Sequence, residues 1–211
     1  MTNKKAVLRL SQYKNALLRL QVLGLEKVFS DNLADAVGVT PSQVRKDLSA
    51  FGLASGNKRG GYRIDSLLDT LRQLLGTGES HPVILVGVGK IGAALMRYKG
   101  FGRVNMRISA AFDVDPAKHA PDAAVPILPL ERLGGYVREH HVRLAVLAVP
   151  DTAAPAVLAA LVGAGVSGIL NFAPIELQGG DEVQITNVHL ESEMESLLFF
   201  VRQREEGGDE G

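Results

Sequence analysis

Residues 82–113 read PVILVGVGKIGAALMRYKGFGRVNMRISAAFD, and the fold follows from them. Val83 to Val86 is a short apolar run rich in β-branched residues, as a strand buried on both faces of a parallel sheet requires. Gly87, Gly89 and Gly92 follow at once as G-x-G-x-x-G, with Val88, Lys90 and Ile91 between them. The first glycine serves a tight turn, the second lets backbone approach a pyrophosphate, and the third lets a helix pack close on the strand. A helix beginning near Lys90 turns unpaired N–H groups and the positive end of its dipole toward the phosphates. A second strand, Met106 to Phe112, leads to Asp113, 21 residues beyond Gly92. That is the place of an acid that accepts hydrogen bonds from an adenine ribose 2′-OH. Val114, Asp115 and Pro116 come next, with no Arg to receive a 2′-phosphate, so the spacing favours NAD(H) over NADP(H). The plainer alternative is a βα turn without a ligand, in which Asp113 caps the strand end.

Beyond Asp113 the βα alternation continues. A short third strand is expected over Val125–Ile127, a helix over Leu130–Glu139 and an apolar fourth strand over Val142–Val149. Thr152 is placed to cap a helix from Ala153 to Ala164, Gly165 ends it, and Gly168–Asn171 gives a fifth strand. Ligands of such sheets bind outside the carboxyl ends of the strands, at the switch point. Val149, Pro150, Asn171 and Phe172 occupy those ends and join the candidate cofactor site. Pro150 as a strand terminator and Phe172 as core are the alternatives.

At 211 residues with a 46% hydrophobic fraction, the chain can bury one large core or two small ones. No apolar run approaches the roughly 20 residues of a spanning helix, and no basic leader opens onto an apolar signal segment, so a cytoplasmic protein is expected. There is no Cys, which removes disulfides, thiolate metal sites and cysteine nucleophiles. The five His form no metal-ligand pattern. The net charge of zero hides an asymmetry: residues 1–63 hold eleven Lys and Arg against four Asp and Glu, whereas residues 81–211 hold eleven against sixteen. A basic module for a polyanion, joined to an acidic one that does not touch nucleic acid, fits this division.

The basic part reads as helices. Val7, Leu10, Leu17, Leu18 and Leu20 recur at helical spacing until Gly24; Ser30 is placed to cap a second helix carrying Leu33, Ala34 and Val37, which Gly38 closes. Thr40 as N-cap and Pro41 at the first position start a third helix running to about Phe51. At about 100° per residue, Ser42, Arg45, Lys46 and Ser49 share one stripe, and Val44, Leu48 and Phe51 the opposite one. In a major groove Arg45 can fork onto guanine, Lys46, Ser42 and Ser49 can reach phosphates or base edges, and Gln43 on the flank can read adenine. A solvated charged face is the alternative. Against it stands the stretch from Gly56 to Ile64, where Lys58, Arg59 and Gly60 form a basic tip between extended segments, like a wing against the DNA backbone or minor groove. Asp65 or Ser66 then caps a helix bearing Leu67, Leu68 and Leu71, and Gly76 to His81 marks the domain boundary.

The last helix, Leu190 to Arg204, carries Leu190, Met194, Leu197, Leu198 and Val201 on one side, with Phe199 and Phe200 widening the apolar surface. A second subunit is the economical partner for it, with packing on its own sheet as the alternative. The division expected is 1–76 winged helix, 77–189 dinucleotide domain, 190–206 dimerisation helix and 207–211 disordered tail.

Gln43-Val44-Arg45-Lys46-Asp47-Leu48-Ser49, Lys58-Arg59-Gly60, the turn Gly87 to Gly92, Phe112-Asp113 and Gly168 to Pro174 together resemble the Rex family of bacterial redox-sensing repressors, over nearly the whole chain. The resemblance implies an α/β fold: a Rossmann-type doubly wound parallel sheet with an N-terminal winged-helix domain and a C-terminal dimerisation helix. It also implies a homodimer with exchanged last helices that binds an operator palindrome in double-stranded DNA and releases it when NADH replaces NAD⁺, with no metal, no membrane and no catalysis. Tyr98 is retained where the family has a Tyr on the cofactor side. Three positions depart from the pattern: Ala50 where an aromatic is usual, Asn15 where the first helix has Arg, and His189 where an Asp precedes the last helix. The charge exchange that family members make between those last two positions and Tyr98 is therefore expected to be absent or replaced, so that NADH weakens operator binding less than in a typical member, and a Tyr98–His189 contact would make release pH-dependent.

Two other classes compete. A small NAD-dependent oxidoreductase needs a substrate segment and an acid-base residue, yet only 39 residues follow Phe172. A DNA-binding regulator sensing a coenzyme A derivative needs a 3′-phosphorylated ribose, which Asp113 opposes.

Overall fold

The computed structural model describes residues 3–53 and 60–207. The chain divides into two compact units, Met1–Glu79 and Ser80–Gly211.

The first unit holds α1 (Lys4–Val22), β1 (Lys27–Val28), α2 (Ser30–Val37), α3 (Pro41–Ala50), β2 (Tyr62–Arg63) and α4 (Ile64–Leu74). β1 and β2 pair antiparallel, Val28 opposite Tyr62. The apolar stripes meet in one core that includes Leu10, Tyr13, Leu17, Leu48, Ile64 and Leu68. The expected start of α3 is realised: Thr40 Oγ1 accepts the Gln43 N–H at 3.1 Å and Pro41 is its first residue. Two expected caps are not. Phe29 precedes α2 and donates its N–H to Asn32 Oδ1 at 3.0 Å, while the Ser30 hydroxyl takes a bond from Arg45. α4 begins at Ile64, before Asp65 and Ser66, because the Ile64 N–H is already bound by Glu26 O at 2.9 Å; the Asp65 carboxylate accepts from Gln21 instead.

The second unit is a six-stranded parallel sheet in the order β5-β4-β3-β6-β7-β8. Its strands are β3 (His81–Val86), β4 (Met106–Asp113), β5 (Ile127–Pro129), β6 (Leu144–Leu147), β7 (Gly168–Asn171) and β8 (Gln184–Asn187), and its helices are α5 (Lys90–Met96), α6 (Leu133–Glu139), α7 (Ala154–Ala164) and α8 (Leu190–Gly207). The chain starts in the middle, winds outward to β5, returns to β6 beside β3 and winds to the other edge, so the switch point falls between β3 and β6.

The third and fourth strands differ from expectation, since β5 lies two residues later and β6 is shorter at both ends. β8 is a sixth strand that the sequence reading missed. At the edge of the sheet its residues are only partly covered, so Gln-Ile-Thr-Asn carries no continuous apolar run. The Thr152 cap is not formed: Pro150 O accepts the Ala153 and Ala154 N–H groups, and α7 begins at Ala154. Gly165, at φ 103°, ends that helix as read. Among the described residues no helix is long and apolar enough to cross a membrane, and no cluster of His, Cys, Asp or Glu could hold a metal ion.

Candidate functional site

Parallel register brings the predicted cofactor residues to one edge of the sheet. Val86 lies opposite Phe112 on one side and Leu147 on the other, and Leu147 opposite Asn171. Gly87, Asp113, Ala148 and Phe172, the next residues or strand ends, therefore share the carboxyl edge at the switch point. The three glycines differ in what surrounds them. Gly87 has φ +94°, and a Cβ there would land on the Ala148 carbonyl; a Cβ on Gly92 would land on the Gly87 carbonyl. Gly89 faces open space with nothing within 4 Å. Two glycines thus close the turn, and the third keeps a cradle clear that even a methyl group would begin to fill. That is the shape a pyrophosphate needs beside the first N–H groups of α5.

Asp113 is buried with 6% of its side chain exposed, and three donors hold it. Its Oδ2 accepts the Val88 N–H at 2.7 Å and Lys118 Nζ at 3.0 Å, and its Oδ1 accepts the Asp115 N–H at 2.9 Å. Burial pushes the carboxyl up, but these bonds together outweigh it and hold the group below the usual carboxylate range. The acid therefore fixes the glycine turn from the next strand. Lys118, a cation five residues past the acid, lies outside the short window in which an Arg was sought.

The remaining cofactor candidates vary. Lys90 and Ile91 are exposed at the start of α5, and Val149 and Pro150 follow β6, Val149 half-buried and Pro150 exposed. Phe172 is half-buried against the core. Tyr98 is 60% exposed and meets Phe101 edge-on at 5.4 Å between ring centroids. Asn171 is fully buried: its Nδ2 donates to Ile175 O and Asn187 Oδ1, each at 2.8 Å, and its Oδ1 accepts the Ala173 N–H. Its side chain ties β7 to β8.

On α3 the predicted faces separate. Ser42, Arg45, Lys46 and Ser49 are exposed, while Val44 and Leu48 are buried. Gln43 is half-buried and donates from Nε2 to Asp47 Oδ1 at 2.7 Å, so its amide is partly committed within the unit. Asp47 is a finding the sequence reading did not single out. It is 3% exposed and also holds Arg9 and the Tyr13 hydroxyl, the latter at 2.9 Å. The Arg9 guanidinium holds its carboxyl below the usual range, and burial followed by the Asp47 bond pushes the Tyr13 phenol up to about 12. The signal was available: a carboxylate on the packing stripe of an amphipathic helix requires a partner. Gly60 is half-buried, whereas Lys58 and Arg59 lie outside the described residues.

Residues 79–175 match the family model described as "CoA binding domain", and residues 4–49 the one described as "Putative DNA-binding protein N-terminus". The redox-sensing transcriptional repressor Rex of Desulforamulus reducens is 38% identical over 200 residues, 94% of this chain and 95% of that protein. This chain belongs to the Rex family. The Rex of Carboxydothermus hydrogenoformans is 39% identical over 92% of this chain and 94% of its own length. Two crystal structures of a protein called RSP extend the likeness to three dimensions. The complex with NAD⁺ and operator DNA has a TM-score of 0.91 at 27% identity, covering 99% of this chain and 96% of that one, and the complex with NADH has 0.85 at 25%, covering 99% and 98%. The relatives are named as Rex repressors, not as enzymes.

The departures from the Rex pattern fall at exposed or paired positions. Asn15 is exposed on α1. His189 Nε2 lies 2.8 Å from Glu176 Oε2 and does not meet Tyr98, so the expected Tyr98–His189 contact is not formed in the chain. Asn187 donates to the other oxygen of Glu176 at 2.9 Å, which fixes the carboxylate beneath the histidine. Ala50, in place of the usual aromatic, is exposed and lines a cleft of about 680 Å³ with Lys5, Arg9 and Lys46. On α8, Leu190, Met194, Leu197, Leu198, Phe199 and Phe200 are all more than half exposed.

Proposed function

We propose that this chain is a transcriptional repressor that binds palindromic operator DNA as a homodimer and responds to the ratio of NADH to NAD⁺, NADH binding releasing the DNA. The observation that carries the reading is the coexistence, in one chain, of a donor-rich exposed face on α3 and a glycine turn locked to a buried Asp113, together with a full-length likeness to a repressor solved with both NAD⁺ and operator DNA. The proposed division is a winged-helix domain at 1–76, a dinucleotide domain at 77–189 and an exchanged helix at 190–206. Such a protein acts where the chromosome is, in the cytoplasm.

Each residue group has a physical task. The backbone from Gly87 to Gly92 receives the pyrophosphate; Asp113 accepts from the adenine ribose; Val149, Pro150, Phe172 and Tyr98 wall the far end; Asn171 keeps the edge of the sheet in register. Reduced and oxidised nicotinamide differ in charge, and that difference is what the bound cofactor supplies to the switch. Arg45 reads bases, Ser42, Gln43, Lys46 and Ser49 position the helix in the groove, and Lys58, Arg59 and Gly60 form the wing tip. A two-fold dimer through α8 presents two such helices to half-sites a helical turn or a multiple apart.

The match of residues 79–175 to a coenzyme A model favours a second reading, in which the same sheet binds a 3′-phosphorylated nucleotide. Asp113 opposes it, because a carboxylate beside a ribose phosphate adds like-charge repulsion. Titration of the full chain with NADH, NAD⁺ and coenzyme A, followed by NADH fluorescence and its displacement, separates the two. Saturable NADH binding that NAD⁺ displaces and coenzyme A does not is the expected result; displacement by coenzyme A alone would transfer the site to the second reading.

A further inference from the structure

The ribose carboxylate has a cation of its own. Lys118 Nζ lies 3.0 Å from Asp113 Oδ2 and 4.0 Å from Asp115 Oδ2. The lysine closes a one-turn 3₁₀ helix, Pro116–Lys118, whose start is set by Asp115 Oδ1 accepting the Ala117 N–H at 3.0 Å. Its side chain is 38% exposed and Asp113 is 6% exposed, so the lysine stands on the solvent side of the acid.

A carboxylate offers about four lone-pair directions. Three of those on Asp113 are taken, by the Val88 N–H, the Asp115 N–H and Lys118. The two backbone donors belong to the turns that build the site and cannot leave it. Lys118 is the exchangeable one. A ribose diol that donates two hydrogen bonds to Asp113 therefore uses the free position and the one that Lys118 gives up. The displaced ammonium stays tethered beside the 2′ position.

Resting on the NAD(H) reading above, we propose that Lys118 determines dinucleotide specificity: it competes with the ribose diol for Asp113, and it is the cation that receives a 2′-phosphate once the carboxylate is removed. Rejection of NADP(H) then depends on Asp113 and Asp115 holding the lysine, because three groups of formal charge −1, −1 and +1 leave the pocket negative. A dianionic phosphate meets net repulsion there although a partner for it is present.

The test measures NADH and NADPH binding to the full chain by nucleotide fluorescence, with the shift in melting temperature as a second readout. The variants are Lys118→Met, Asp113→Asn and both together; Asn removes the charge and keeps one acceptor oxygen, enough for one of the two backbone donors. The wild type is expected to prefer NADH. Lys118→Met should leave NADH binding within about threefold, or tighten it, and raise the NADPH-to-NADH ratio of Kd, since it removes only a partly exposed ion pair and a competitor. Asp113→Asn should tighten NADPH by about tenfold or more, the worth of a hydrogen bond to a charged group, and the double variant should lose that gain. A double variant that binds NADPH as well as Asp113→Asn overturns the proposal, as does Lys118→Met weakening NADH tenfold. If Asp113→Asn does not fold, an NADPH-to-NADH ratio unchanged by Lys118→Met overturns it alone. A wild type that binds neither dinucleotide sinks the NAD(H) reading itself, whereas NADH binding without any NADPH gain in a folded Asp113→Asn sinks only the role of Lys118.

Discussion

Arg9 on α1 reaches Asp47 on α3 with both arms of its guanidinium, Nε to Oδ2 at 2.6 Å and Nη2 to Oδ1 at 2.7 Å. Tyr13 and Gln43 complete the ring of donors around the carboxylate. The helix whose exposed face carries Arg45 and Lys46 is thereby keyed to the first helix at one buried point.

Removing one side of this pair should be costly. Arg9→Ala leaves a nearly buried carboxylate short of its strongest donor, at a cost of about 3 kcal/mol by analogy with broken buried pairs. The pH dependence follows from the directions of the shifts. Asp47 is held below its unfolded value of about 4, so its contribution is present above pH 4 and is lost as pH falls through the folded value. Tyr13, pushed up to about 12, contributes below its unfolded value of about 10 and loses that contribution as pH rises toward 12. Urea titrations across pH should show both limbs in the wild type and a smaller acid limb in Asp47→Asn. An unchanged acid limb would contradict the role given to Asp47.

The glycines of the turn should separate by property. Gly89→Ala adds a methyl group to open space at φ −80°, so stability should stay within about 0.5 kcal/mol while NADH binding falls. Gly92→Ala drives a methyl group into the Gly87 carbonyl and should destabilise by about 1–3 kcal/mol or more. Melting temperature and NADH titration on the two variants check this, and equal stability losses would remove the distinction.

On DNA, Arg45 and Lys58 should behave differently. Arg45→Ala should cost roughly 1–3 kcal/mol and relax sequence preference, while Lys58→Ala should weaken all sequences alike and lower the salt slope by about one. The observed bond from Arg45 Nη1 to Ser30 Oγ, 3.1 Å between exposed groups, is weak enough to yield to a base. Binding to operator and scrambled duplexes over a range of salt gives both numbers; equal losses of specificity would refute the assignment.

The exposed apolar side chains of α8 make a separate prediction about assembly. Leu197→Asp with Phe200→Asp should convert a dimer into a monomer at micromolar concentration in sedimentation, because each puts a charge into the surface proposed to be buried. A wild type that sediments as a monomer would overturn the dimer.

The glycine turn, Asp113 and the exposed stripe of α3 were legible in the sequence because each depends on local spacing: a period of about 3.6 residues in a helix, or the fixed offsets of a βα turn. What sequence alone left unread depends on contacts between distant residues. Arg9 and Asp47 are 38 positions apart, and nothing local marks the arginine as the partner. Thr152 and Ser30 were plausible caps by type, but the Pro150 carbonyl holds the Ala154 N–H and the Phe29 carbonyl the Leu33 N–H. The structural task of Asn171 was not legible, because its partner Asn187 stands on β8, itself unread. His189 finds Glu176, 13 residues earlier, rather than Tyr98.

In the proposed switch NADH, and not NAD⁺, opposes the operator through one conformational equilibrium, and operator affinity measured with saturating NADH and with saturating NAD⁺ reads that equilibrium out. NADH is expected to weaken operator binding relative to NAD⁺ by at least about fivefold, the low end of typical allosteric coupling, since Asn15 and His189 lack the charges of the family pattern. Asn15→Arg with His189→Asp should enlarge the ratio. Operator affinity identical in the two nucleotides, in a protein that demonstrably binds both, would contradict it.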